Sequence, residues 1–142
     1  MKNSAALAVL LSTCSMVLAQ HAPTGVAIGL LERSEIPNGA GCSYTQANQP
    51  NAESVFAIPA ELNDVALIRV NGVIHKLTRK SSKSLDAKGT RFLEQWSDGI
   101  LNVTFRYRIT GEGEGGIASE GRLTVMLGKI RKSISVRGGC GC

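Results

Sequence analysis

The sequence predicts an all-β domain, a small antiparallel β-sandwich or barrel of about seven or eight strands. Three observations carry this reading. Short apolar runs are separated by the turn dipeptides Asn71-Gly72, Asp98-Gly99 and Gly128-Lys129, the punctuation of consecutive hairpins. Residues 100–110 alternate with a period of two, Leu101, Val103, Phe105, Tyr107 and Ile109 against Asn102, Thr104, Arg106 and Arg108. That period belongs to a half-buried strand with an apolar face inside and a basic face outside. Beyond one turn near residues 59–63, no segment shows a helical period.

The elements follow in chain order. Residues 20–41 are rich in Gly, Pro and small side chains and read as a leader or loosely held arm, with a short strand at 26–31. Strands are then expected at 42–46 and 54–58, the latter stopped by Pro59. Residues 64–70 and 73–78 are rich in β-branched side chains around Asn71-Gly72, a dipeptide that accepts positive φ at both central positions of a type I′ turn. After strand 91–96 and the turn at Asp98-Gly99 comes the alternating run 100–110. Residues 122–127 and 130–137 flank Gly128-Lys129, and Ile130, Ile134 and Val136 share a face. Aromatic residues are few, so the core is expected to be aliphatic, with Phe56, Phe92, Trp96, Phe105 and Tyr107 as its large pieces.

The N-terminus reads as an export signal. Lys2 precedes an apolar stretch at 5–11, and Val17 and Ala19 supply the small side chains expected before a cut after Ala19. The stretch is shorter than the roughly 20 residues a membrane-spanning helix needs. Leu11-Ser12-Thr13-Cys14 also resembles a lipobox, so a lipoprotein anchored through Cys14 is the alternative to a periplasmic or secreted protein. The organisation is therefore a signal peptide at 1–19, an arm at 20–41 and a β domain at 42–142. Removing the signal peptide takes away only Lys2 and leaves 15 basic against 11 acidic side chains, a mild net charge of +4. The balance favours an anionic or protein partner and does not imply nucleic acid.

Three cysteines remain, Cys42, Cys140 and Cys142. Cys140 and Cys142 are too close in sequence for an easy unstrained bond to each other. The expected disulfide joins Cys42 to one of the final pair, closing a loop of about 100 residues and leaving one thiol over. The other reading of the Gly-Cys-Gly-Cys tail is a thiolate pair for a soft metal, which would require Cys42 as a third ligand and forbid the disulfide.

Two further segments stand out. Residues 76–91 carry Lys76, Arg79, Lys80, Lys83, Lys88 and Arg91 against the single acid Asp86, and read as a basic loop, either merely solvated or meeting an anionic surface. Residues 110–121 hold Glu112, Glu114 and Glu120 among glycines. They lack the ligand spacing of a calcium loop and read as a flexible hairpin loop. The chain has two histidines, His21 and His75, and no zinc-hydrolase, nucleophile-elbow or phosphate-loop motif. No catalytic residue, cofactor or metal is expected, and an enzyme is not.

The layout of signal peptide, front cysteine, β domain and Gly-Cys-Gly-Cys ending resembles small exported bacterial proteins of uncharacterised function. The stretch Lys88-Gly89-Thr90-Arg91-Phe92, following Val70-Asn71-Gly72 and Leu77, is similar to the C-type lysozyme inhibitors of the bacterial envelope, with Lys for Ser and Phe for Tyr in their inhibitory loop. That resemblance implies a small barrel inserting a loop into the lysozyme cleft. The expectation is an exported, non-enzymatic binding domain. Its alternatives are a lysozyme-inhibitor-like protein acting through 76–91 and a thiol or metal protein acting through the tail.

Overall fold

The structure, a computed structural model, describes residues 25–141; the expected signal peptide at 1–19, with Cys14, and His21 and Cys142 lie outside the described residues. The described residues form nine strands: β1 Ile28–Gly29, β2 Ala40–Gln46, β3 Phe56–Pro59, β4 Val65–Val70, β5 Val73–Ser84, β6 Arg91–Ser97, β7 Leu101–Gly113, β8 Gly116–Leu127 and β9 Ile130–Cys140. Strands β2 to β9 pair antiparallel with their neighbours in chain order, and β9 returns to pair with β2. The result is a closed eight-stranded meander barrel, with β1 added beside β4. Closure leaves the barrel strands no unpaired edge.

The alternation in β7 places Leu101, Val103 and Phe105 inside, where they meet Leu123 and Val125 of β8 and Ile134 and Val136 of β9. Trp96, Phe56 and Phe105 are fully buried in the centre, and Tyr44 joins them, its ring edge-on to Phe105 at 4.8 Å between centroids. Phe92 and Tyr107 are half-buried and stacked on each other.

Among the described residues one charged side chain is fully buried in this interior. Glu94 is 5% exposed, accepts hydrogen bonds from the Trp96 indole N–H and the Tyr107 hydroxyl, both at 3.1 Å, and pairs with Arg79 at 3.5 Å. Arg79 in turn lies over the Trp96 ring. A buried carboxylate is tolerable because its lone pairs are occupied. Burial, reinforced by the Glu94 charge, pushes the Tyr107 phenol far above its ordinary range.

Strand β4 reads as a continuous apolar run because both its faces are covered. Ala66, Ile68 and Val70 face the core, while Leu67 faces outward beneath Leu31 and Ile36 of the N-terminal segment. The described part of that segment is held down: Leu31 is 1% exposed, Arg69 pairs with Glu35, and the Asn71 side chain accepts from the Ala27 amide and donates to the Gly25 carbonyl. Asn71 does this from the expected turn, where it and Gly72 both have positive φ, 51° and 80°.

The barrel closes where β2 meets β9, and there Cys42 is bonded to Cys140, its register partner. The expected disulfide is formed with the first of the two final cysteines. Gly138 and Gly139 are not a loose tail but part of β9. A Cβ at Gly138 would lie 2.0 Å from the Ser43 carbonyl oxygen, and one at Gly139 2.1 Å from that of Ile117. The seam needs glycine because the backbones approach too closely for side chains.

Two expected loops are strands. Residues 76–84 belong to β5, which pairs with β6 through a bulge at Lys80; the actual loop is residues 85–90. Residues 110–113 and 116–121 extend β7 and β8, leaving only 114–115 as the turn. In both cases the ladder hydrogen bonds of a closed sheet stabilise a strand whose polar, Ser- and Gly-rich composition does not advertise one.

Candidate anion-binding groove

On the outside of β6–β9 the two-residue period and the registers set side chains in rows. One row runs Arg91, Arg108, Glu120, Arg137 across four strands. The next runs Lys83, Leu93, Arg106, Arg122, Ser135. Strands lie about 4.8 Å apart and successive outward residues about 7 Å apart along a strand, so the cations form a compact grid. Its surface is a concavity of about 790 Å3, bordered by Leu85 and Ala47.

Five arginines line this groove, Arg91, Arg106, Arg108, Arg122 and Arg137. The described residues include all nine arginines and six of the seven lysines, and none of those six lines the concavity. One acid is present. Glu120 accepts two hydrogen bonds from the Arg108 guanidinium, one at 2.9 Å. That bond, with the Arg108 charge and then that of Arg137, holds the Glu120 carboxyl below its usual range. Among the described residues, Arg91, Arg106, Arg122 and Arg137 make no ion pair. Two like-charged pairs stand directly opposite in register, Arg91 with Arg108 and Arg106 with Arg122. Cross-strand like charges destabilise a sheet, so an arrangement that repeats them is suited to an anion laid across them.

Strand β8 is drawn close at this point. A Cβ at Gly121 would lie 2.2 Å from the Arg106 carbonyl oxygen, so glycine is required for β8 to approach β7 where Arg122 faces Arg106.

The side chains expected to form one basic loop are divided by the fold. Arg91 lines the groove and Lys83 stands in the row beside Leu93. Lys88 is exposed in the 85–90 turn, whose Leu85 borders the groove. Lys76 lies on the other flank of β5, opposite Leu67, and Lys80 sits in the bulge. Arg79 is turned to Glu94, Trp96 and Asp64. The 85–90 turn is built rather than loose: the Asp86 carboxylate accepts from the Thr90 hydroxyl and from the amides of Thr90 and Arg91, bonds that hold it below its usual range.

Within the stretch 88–92, read from the sequence as resembling lysozyme inhibitors, Lys88, Gly89 and Thr90 lie in this turn, whereas Phe92 is half-buried against Tyr107. The Asn71-Gly72 turn is at the opposite end of the barrel. Of the tail, Cys140 is in the disulfide, so in this oxidised form it offers no thiolate to a metal. Glu112 and Glu114 are at the β7–β8 tip while Glu120 is in the groove. No group of three potential metal ligands occurs among the described residues.

Comparison of the chain with protein-family models, with curated proteins and with solved structures finds no match.

Proposed function

We propose that this chain is an exported, non-enzymatic binding domain that holds an anionic partner in the arginine groove on the outside of β6–β9. The observation that carries the reading is the sorting of cations among the described residues, five of nine arginines and none of six lysines in one concavity with a single acid. Mere solubility would scatter both residue types over the surface. A guanidinium presents a planar fork that pairs bidentately with carboxylate, sulfate and phosphate oxygens, which an ammonium cannot do. The export reading of the N-terminus agrees with a disulfide, a bond that persists outside the cytoplasm.

Retention of the mature chain on anionic dextran tests this. At physiological salt the protein should be retained, and Arg106→Gln with Arg122→Gln should release it. Lys76→Gln with Lys80→Gln, which removes the same charge elsewhere, should not. Equal loss in the two pairs would reduce the effect to net charge and sink the groove.

A second reading, inhibition of a lysozyme, is favoured by the Asp86-braced turn that presents Lys88 beside the groove. A basic turn entering a carboxylate-lined cleft is electrostatically sound. The domain should then slow lysozyme, and Lys88→Glu with Arg91→Glu should abolish the effect. No inhibition at micromolar protein removes this version.

A further inference from the structure

We propose that Arg106 and Arg122 form a pincer for the dianion of a phosphate monoester, an inference that rests on the groove's being the binding surface. The two residues are register partners on β7 and β8, so their Cβ atoms stand about 5 Å apart and their guanidinium groups can converge on one tetrahedral group from two sides. Neither has an ion pair among the described residues, in contrast to Arg108, which Glu120 already holds. Two uncompensated positive charges match a monoester with its second ionisation, near pH 6, complete. A sulfate ester or a carboxylate brings one negative charge and leaves one arginine unanswered.

The surroundings fit the same ligand. Ser135 is the register partner of Arg122 on the far side from Arg106 and lines the groove, placing a hydroxyl donor at the end of the row. Leu93 is the partner of Arg106 on its other side, an apolar neighbour for the body that carries the phosphate. Glu120, one row away, repels a second anion from the centre of the grid and so leaves room there for one monoester at a time. The pincer is mounted on ladder-bonded strands, and the close approach at Gly121 sets the spacing of its two arms.

The test compares three polymers on one backbone, dextran bearing phosphate monoesters, sulfate esters or carboxymethyl groups at equal substitution, at pH 7.5. The phosphate polymer should bind at least about tenfold more tightly than either other, and Arg106→Lys with Arg122→Lys should cost about tenfold while keeping the charge, since each arm loses a bidentate bond. Arg91→Lys with Arg137→Lys should cost far less. Equal binding of the sulfate polymer, or no loss in the first lysine pair, would overturn the pincer while leaving an anion-binding groove. Binding to none of the three would overturn the groove itself. The comparison of polymers on the unaltered protein stands even if a variant misfolds.

Discussion

If Arg106 and Arg122 face each other for the sake of a ligand, the free protein is less stable than it could be, and a charge reversal will show it. The perturbation is Arg122→Glu. At this exposed position no core contact is lost, and β8 keeps its register with β7 and β9. The change converts a like-charged cross-strand pair into an opposite-charged one. Each such pair is worth about 0.2–1 kcal/mol with the sign set by the charges, so the swing is about 0.4–2 kcal/mol at low salt. For a domain of this size that raises the melting temperature by about 3–6 °C for each kcal/mol. Because the pair is in solvent, raising the salt to about 1 M, where the screening length falls to about 3 Å, should erase most of the gain. Differential scanning calorimetry at low and high salt, with retention on phosphate dextran measured alongside, reads both consequences. Arg122→Glu should be more stable and should no longer bind. No rise in melting temperature at low salt, or a rise that salt leaves untouched, refutes the claim that the pair is electrostatically costly.

Three other outcomes are expected. Reducing the Cys42–Cys140 disulfide, or replacing both with Ser, removes a constraint spanning 98 residues and should destabilise the fold by up to about 4–5 kcal/mol, seen as a large drop in melting temperature with reductant. Glu94→Ala strands the Trp96 and Tyr107 donors, while Arg79 keeps Asp64 as its partner, and should cost about 3 kcal/mol in urea unfolding; a loss below about 1 kcal/mol would show that the carboxylate is not what satisfies them. Partial burial pulls the Asp98 carboxyl upward, but the His75 ring and the amides of Leu101 and Ile100 outweigh it and hold it down at about 2, from an ordinary 3.8. A depressed carboxyl stabilises the fold above its unfolded value, so this contribution, on the order of 1 kcal/mol after solvent screening, should be lost as pH falls from about 4 to about 2, and Asp98→Asn should flatten the stability profile there.

The turn dipeptides and the period of two were enough to predict the barrel strands, because both act over a few residues. Asn71-Gly72 and Gly128-Lys129 produce the hairpins their φ preferences require, and β7 alternates as written. The ends of three strands were not legible, residues 79–84 of β5, 111–113 of β7 and 116–121 of β8. Their Ser, Lys and Gly residues carry no strand signal, and they are extended only because a partner strand is there to bond them. The site was half legible. Arg106 and Arg108 were readable as an outward basic face, and the Gly128-Lys129 turn alone aligns Arg122 with Ser135 and Glu120 with Arg137. What hid the groove was the β7–β8 register, which passes through a bulge between Ile109 and Gly111 and ends in a two-residue turn inside a stretch that reads as loop. Counting cations along the chain favoured 76–91; counting them across strands favours the arginines.

The placement of the groove follows from how the barrel is filled. Eight strands enclose an interior just wide enough for side chains to occupy, and here Trp96, Phe56, Phe105 and Tyr44 meet in its centre with their rings in contact. The interior is thus committed to stability, and the charged residue it admits, Glu94, is answered by neighbours within it. The outer face has no such obligation. Its residues at alternate positions of β7, β8 and β9 are free to carry any side chain that keeps the strands paired, and a meander with every register fixed by its neighbours holds those side chains at constant spacing. An exterior grid of arginines on a rigid closed sheet is therefore the arrangement in which this fold can present chemistry without loosening its core.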